Sequence, residues 1–102
     1  MPNQYLALDV GSTTISAIII DLDSSSIVGS SSTANTAALN PAAKPARSEW
    51  DLNAMSELAI KNAAALIERT RAKPSAIGVT GQQQGLQLLN DELDSVGPYI
   101  SW

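Results

Sequence analysis

Apolar and polar positions along this chain fall into short blocks of different period. Gln4 to Val10 and Ile15 to Leu22 are dense in Leu, Ile, Val and Ala at the close spacing of strands. Ile27 to Ala34 reads as a third, more polar strand, with Gly29 weakening its middle. Asp21 to Ser26 carries the Asp and Ser side chains of a tight turn, so the three strands are predicted to run as an antiparallel meander. From Asn35 to Ser48 the chain is Ala, Asn and Pro with scattered charge; Pro41 and Pro45 cannot donate to a sheet, and a mobile loop is predicted, a surface connection in preference to the alternative reading as a substrate-side flap. Asp51 to Arg71 switches to the helical period, with Leu52, Met55, Ala59, Ala63, Leu66 and Ile67 on one stripe. Asp51 or Asn53 can cap its start, Glu57 and Lys61 are spaced as a favourable pair, Arg69, Arg71 and Lys73 suit its C-terminal end, and Pro74 stops it. Ala76 to Thr80 then reads as a buried strand, Gly81-Gln82-Gln83-Gln84-Gly85 as an abrupt polar turn, and Leu86 to Leu89 as another strand. The order β-β-β-α-β-β predicts an α/β fold in which the helix is a right-handed crossover between parallel strands.

The chemistry concentrates where polar residues break the first apolar run. Asp9, Gly11, Ser12, Thr13 and Thr14 form a hinge between two strands. Gly11 removes the side chain that would hold a phosphate away from the backbone, and the three residues after it offer hydroxyl and amide donors. Asp9, closing the first strand, can hold a hydrated Mg²⁺ beside such a phosphate. The residues alone leave a second reading open, a β-hairpin whose Gly and Ser/Thr only make a tight turn. Gln83 and Gln84 likewise fit either a solvated turn or amides presented to vicinal hydroxyls. No Gly-x-x-x-x-Gly-Lys-Ser/Thr loop and no dinucleotide fingerprint occurs.

Composition narrows the classes. The chain has 102 residues, one domain at most, and at this length folding buries somewhat over ~60% of the unfolded surface. Hydrophobic residues make up 44% and charged residues 16%, as in a globular protein, and with no Phe the core must be aliphatic. Six basic against ten acidic residues, with no basic cluster, argue against nucleic acid and anionic membranes as partners. With neither Cys nor His, disulfides, thiolate or imidazole metal sites and Ser-His or Cys-His catalysis lie outside this chain. No signal segment or membrane-length apolar run is visible, so a cytoplasmic address is expected.

Asp9-Val10-Gly11-Ser12-Thr13-Thr14 resembles the first phosphate motif of the actin-like ATPase superfamily. Gly81-Gln82-Gln83-Gln84-Gly85, the acidic turn at Asn90-Asp91-Glu92 and Pro98-Tyr99-Ile100-Ser101-Trp102 resemble the segment that follows in FGGY-family carbohydrate kinases of the xylulokinase-like branch, where Gly-Gln-Met-His-Gly and Pro-x-Ile-x-Trp are usual. Together these cover essentially the whole chain in the right order. The resemblance implies a partial actin-like, ribonuclease H-like domain and transfer of the γ-phosphoryl group of ATP to a sugar or polyol, expected to be a pentulose. By position, Asp9 would help organise Mg²⁺, Gly11, Ser12, Thr13 and Thr14 would approach the ATP phosphates, and Gln82, Gln83 and Gln84 would face the sugar. Trp102 fits the core and the sugar pocket equally.

Two positions depart from that family. Ser16 stands where Lys or Arg is usual, and Gln83-Gln84 replaces Met-His. The family's aspartate general base and adenine-binding domain would lie beyond Trp102, so the chain reads as an incomplete N-terminal domain, inactive alone, of a kinase parent. Two alternatives compete. One is an actin-like activator ATPase, whose iron-sulfur cysteines are missing here; the other is an α/β interaction module that forms a homodimer through an exposed sheet edge.

Overall fold

The computed structural model describes residues 3–39, 48–82 and 84–101. In chain order the elements are β1 (Gln4–Val10), β2 (Thr14–Asp21), β3 (Ser26–Ala34), β4 (Ala38–Leu39), β5 (Glu49–Trp50), α1 (Leu52–Thr70), β6 (Ala76–Gly81), β7 (Leu86–Leu89) and β8 (Ser95–Ile100). β1, β2 and β3 pair antiparallel and β6 pairs parallel with β1, giving a mixed sheet in the order β3-β2-β1-β6.

Strand period decides which side chains meet the helix. Leu6, Leu8 and Val10 of β1 stand opposite Ile19, Ala17 and Ile15 of β2, so all six share one face. α1 lays Met55, Ala59, Ala63 and Leu66, the stripe read from the sequence, against that side of the fold. Leu6, Ala17, Ile19, Ala63, Leu66 and Ala72 form the core, with Leu8, Val28 and Ile67 packed around them. Each large aliphatic side chain buried there contributes about 1.5–3 kcal/mol relative to exposure. Asn62 crosses the same interface: its Nδ2 donates to Ser31 O at 3.1 Å and its Oδ1 accepts from Ser31 Oγ at 2.8 Å, so this half-buried amide is paired.

The helix begins where Asp51 caps it, the carboxylate accepting from Ala54 N at 3.1 Å, while Asn53 lies inside the first turn. It ends at Thr70, with Arg71 in the left-handed conformation at φ 55°. Arg69 fastens this end to the sheet by donating to Ser30 O at 2.8 Å. Gly29 has a part that its weak strand propensity conceals. The β2–β3 register shifts so that Ile19 faces Gly29 and Ile20 faces Ile27, which makes Val28 the extra residue of a bulge. A Cβ on Gly29 would lie 2.8 Å from Thr70 Cγ2 and 3.2 Å from Leu66 Cδ1, so the glycine lets α1 lie close on β3.

Two expectations need correction. Ala76 to Thr80 is a strand but not a buried one: Ile77 is 61% and Val79 70% exposed. β6 is the open edge of the sheet, and α1 packs over β1, β2 and β3 instead. The chain also builds a second small sheet, in the order β4-β5-β8-β7, from β4 within the expected loop, β5 just after it and the last two strands. Of that loop, residues 40–47 lie outside the described residues.

Candidate functional site

The hinge is a tight hairpin. The β1–β2 ladder ends at Val10 opposite Ile15, and Gly11 N donates to Thr14 O at 3.0 Å to close the turn. A Cβ on Gly11 would sit 2.6 Å from that same oxygen, so a side chain here is incompatible with the closure. Ser12, Thr13 and Thr14 are exposed, and among the described residues the Ser12 and Thr13 amides have no protein acceptor. The geometry is the hairpin of the plainer reading, and its tip carries the free donors that an anion needs.

Asp9 lies on the face of the sheet opposite α1 and is exposed. Its register partners are Ser16 on β2 and Thr80 on β6, and Ser16 in turn faces Ser32 on β3 with the two Oγ atoms 2.9 Å apart. One polar row, Thr80-Asp9-Ser16-Ser32, thus crosses all four strands. Asp9, Ser16, Thr80 and Ile18 line a shallow depression of about 370 Å³. The Ser16 hydroxyl, where the resemblance expects a cation, is held by the Ser32 hydroxyl. A single exposed carboxylate beside hydroxyls suits an ion that keeps most of its water, as Mg²⁺ does; among the described residues no three His, Cys, Asp or Glu side chains gather to form an all-protein cage.

The glutamine turn leaves the sheet beside the hinge. β6 runs parallel to β1, and the ladder continues one step past its end, Gln82 N donating to Val10 O at 3.0 Å. The carboxyl ends of β1, β3 and β6 therefore share one edge, the usual position of ligand sites in open α/β sheets. Gln82 Nε2 donates to Ser101 Oγ, and its Oε1 is buried with no partner among the described residues. Gln84 is exposed and held at φ 61°, a left-handed conformation costly for a side chain with a Cβ. Gln83, expected to face the sugar, and Trp102, which fits the core and the sugar pocket equally, lie outside the described residues.

Gly85 closes the turn for a local reason: a Cβ there would overlap the Tyr99 hydroxyl. Tyr99 is steadied edge-to-face against Trp50, its register partner on β5, at 6.4 Å between ring centres. Val10, Val79, Gly81, Gln82 and Tyr99 border a second depression of about 380 Å³, on the α1 side of the sheet.

One residue that sequence reasoning passed over belongs to the site. Asn35, just after β3, donates from Nδ2 to Gly11 O at 2.9 Å and from its backbone N to Thr13 O at 2.9 Å. Only its place at the start of a turn-rich segment marked it, because its partners lie more than twenty residues earlier.

Residues 4–102 match the family model described as the N-terminal domain of the FGGY family of carbohydrate kinases. Among solved structures, a xylulose kinase from Rhodospirillum rubrum is similar at 25% identity and a TM-score of 0.76, over 97% of this chain and 20% of its own. A ligand-bound xylulose kinase from Lactobacillus acidophilus (19% identity, TM-score 0.81, 98% of this chain) and a gluconate kinase from the same organism (20% identity, TM-score 0.73, 100% of this chain) show the fold alone. The chain spans 20% of the length of each. No curated protein matches it significantly.

Proposed function

This chain belongs to the FGGY family of carbohydrate kinases, and from that premise we propose that it forms the nucleotide-phosphate and sugar wall of an ATP-dependent sugar-kinase cleft. The observation that carries this reading is the junction at Val10 O: the hinge with its free amides and the Gln82 turn leave adjacent parallel strands at one edge, tied by a backbone hydrogen bond. Phosphoryl transfer asks a protein mainly for placement and charge compensation, and a rigid edge with two unlike polar loops supplies placement.

The amides and hydroxyls of Ser12, Thr13 and Thr14 donate to the ATP phosphates, and Gly11 keeps the turn tight enough to present them. Asp9 would hold a hydrated Mg²⁺, which would supply compensation for the phosphate charge. Gln82, fixed by its bond to Ser101, borders the depression on the sugar side, while its Oε1, closed to solvent and without a partner among the described residues, carries a desolvation cost of about 1–3 kcal/mol. Gln83, Gln84 and Trp102 complete the sugar side. The xylulose kinase at 25% identity supports a pentulose as the acceptor. The 102-residue chain alone binds without turnover.

Ligand mapping by ¹H–¹⁵N NMR tests the division of labour. MgADP should shift the amides of residues 11–14, and D-xylulose the side-chain amides of Gln82 and Gln84. Nucleotide shifts confined to the helix or β7 would overturn it. The open β6 edge, with Ile77 and Val79 exposed, also favours self-association of the isolated chain, which sedimentation at several concentrations would detect as a rising mass.

A further inference from the structure

Asn35 makes three hydrogen bonds, and they form a system. Its Oδ1 accepts from Ala37 N at 3.0 Å, its Nδ2 donates to Gly11 O at 2.9 Å, and its own N–H donates to Thr13 O at 2.9 Å. The first bond is an Asx turn, which fixes the rotamer of the side chain. With the oxygen fixed, the amide nitrogen can only aim at the hinge. Ala37, the anchor of that turn, is buried and accepts Asp51 N at its own carbonyl at 2.9 Å, so the clamp rests on the entry to α1 rather than on a free loop.

The consequence follows from the planarity of the peptide group. In a trans peptide the carbonyl oxygen of one residue and the amide hydrogen of the next point to opposite sides. Drawing Gly11 O and Thr13 O onto Asn35 therefore turns the Ser12 and Thr14 N–H groups away from it. Ser12 N–H, one of the donors without a protein acceptor among the described residues, owes its outward direction to this residue. We propose that Asn35 is a positioning residue for phosphate binding: it acts through the hinge, setting the Gly11–Ser12 and Thr13–Thr14 peptide planes so that the Ser12 amide faces the phosphates before they arrive. This rests on the phosphate reading of the hinge and assigns a part of the site that lies outside every motif in the chain.

Two substitutions separate the clamp from the fold. Asn35→Ala removes both side-chain bonds; Asn35→Asp keeps an oxygen to accept from Ala37 N but has no donor for Gly11 O. Both are compared with the unaltered chain by thermal melting, by ¹⁵N relaxation at Ser12 and Thr13 without ligand, and by MgATP titration followed at residues 11–14. Both variants should fold, lose order at Ser12 and Thr13, and bind MgATP about tenfold more weakly, the loss expected when a positioning hydrogen bond is removed. D-xylulose shifts at the Gln82 side chain should stay the same, which a merely structural defect would not allow. Unchanged hinge order, or unchanged MgATP affinity in Asn35→Ala, would overturn the role of Asn35 while leaving the phosphate reading standing. No MgATP response at residues 11–14 in the unaltered chain would overturn both.

Discussion

Replacing Gly11 by alanine tests whether the hinge is as tight as its hydrogen bond implies. The added Cβ would lie 2.6 Å from Thr14 O, while ordinary contact begins near 3.4 Å, so the two backbone segments must part by about 0.8 Å. Neither atom belongs to a flexible side chain that can swing aside. The parting breaks the Gly11 N to Thr14 O bond, about 1 kcal/mol, and adds overpacking strain of about 1–3 kcal/mol, for a loss of about 2–4 kcal/mol. Against a total stability of about 5–15 kcal/mol for a domain this is a large share, and it should lower the urea midpoint by about 1–2 M. Gly78→Ala is the matched control, since a Cβ there meets nothing within 4 Å and the change should stay within about 0.5 kcal/mol. Urea unfolding followed by far-ultraviolet circular dichroism reads both. A Gly11→Ala loss no larger than that of Gly78→Ala would refute the reasoning, because the turn would then have room for a side chain.

Other sites give independent checks. Gly29→Ala should cost about 1–3 kcal/mol in the same assay, since Thr70 and Leu66 of α1 stand over that position; a neutral result would mean the helix is free to ride outward. Gln84→Gly should raise stability by about 1 kcal/mol by relieving the left-handed backbone while weakening D-xylulose binding, and a gain with unchanged sugar response would remove Gln84 from the site. The Ser24 amide, with help from the Gln4 side chain and the Asp23 amide, holds the Asp21 carboxyl below the usual carboxylate range. Its stabilising effect is therefore complete above about pH 4 and is lost as pH falls through the lowered native value, so the stability gap between the unaltered chain and Asp21→Asn should close in acid; a gap independent of pH would contradict this.

How much of this was legible depends on the range of the forces involved. Asp51, the Met55 to Leu66 stripe and the stop before Pro74 are local, and the helix was readable almost to the residue. The β1–β2 hinge was readable because both flanks are strongly apolar and Gly11 with three hydroxylated residues interrupts them. β6 was misjudged because an apolar run reports what a strand would bury, not whether anything lies over it; here Ile77 and Val79 stand beyond the reach of α1. The two-residue strands β4 and β5 have no period to detect: β5 is held by Tyr99 and Ile100 of β8 and in turn offers Glu49 and Trp50 to β4. Gly29 and Asn35 were opaque for the same reason, each being explained by a contact with a distant segment.

Transfer of the γ-phosphoryl group tests the central claim most directly. Given [γ-³²P]ATP, Mg²⁺ and a panel of pentuloses, hexuloses and sugar acids, the full-length protein carrying this segment should label one sugar, and Asp9→Ala should slow that transfer at least a hundredfold, as the metal-organising role proposed for Asp9 implies. Labelling of none of the sugars, or an Asp9→Ala rate equal to that of the unaltered protein, would contradict the account.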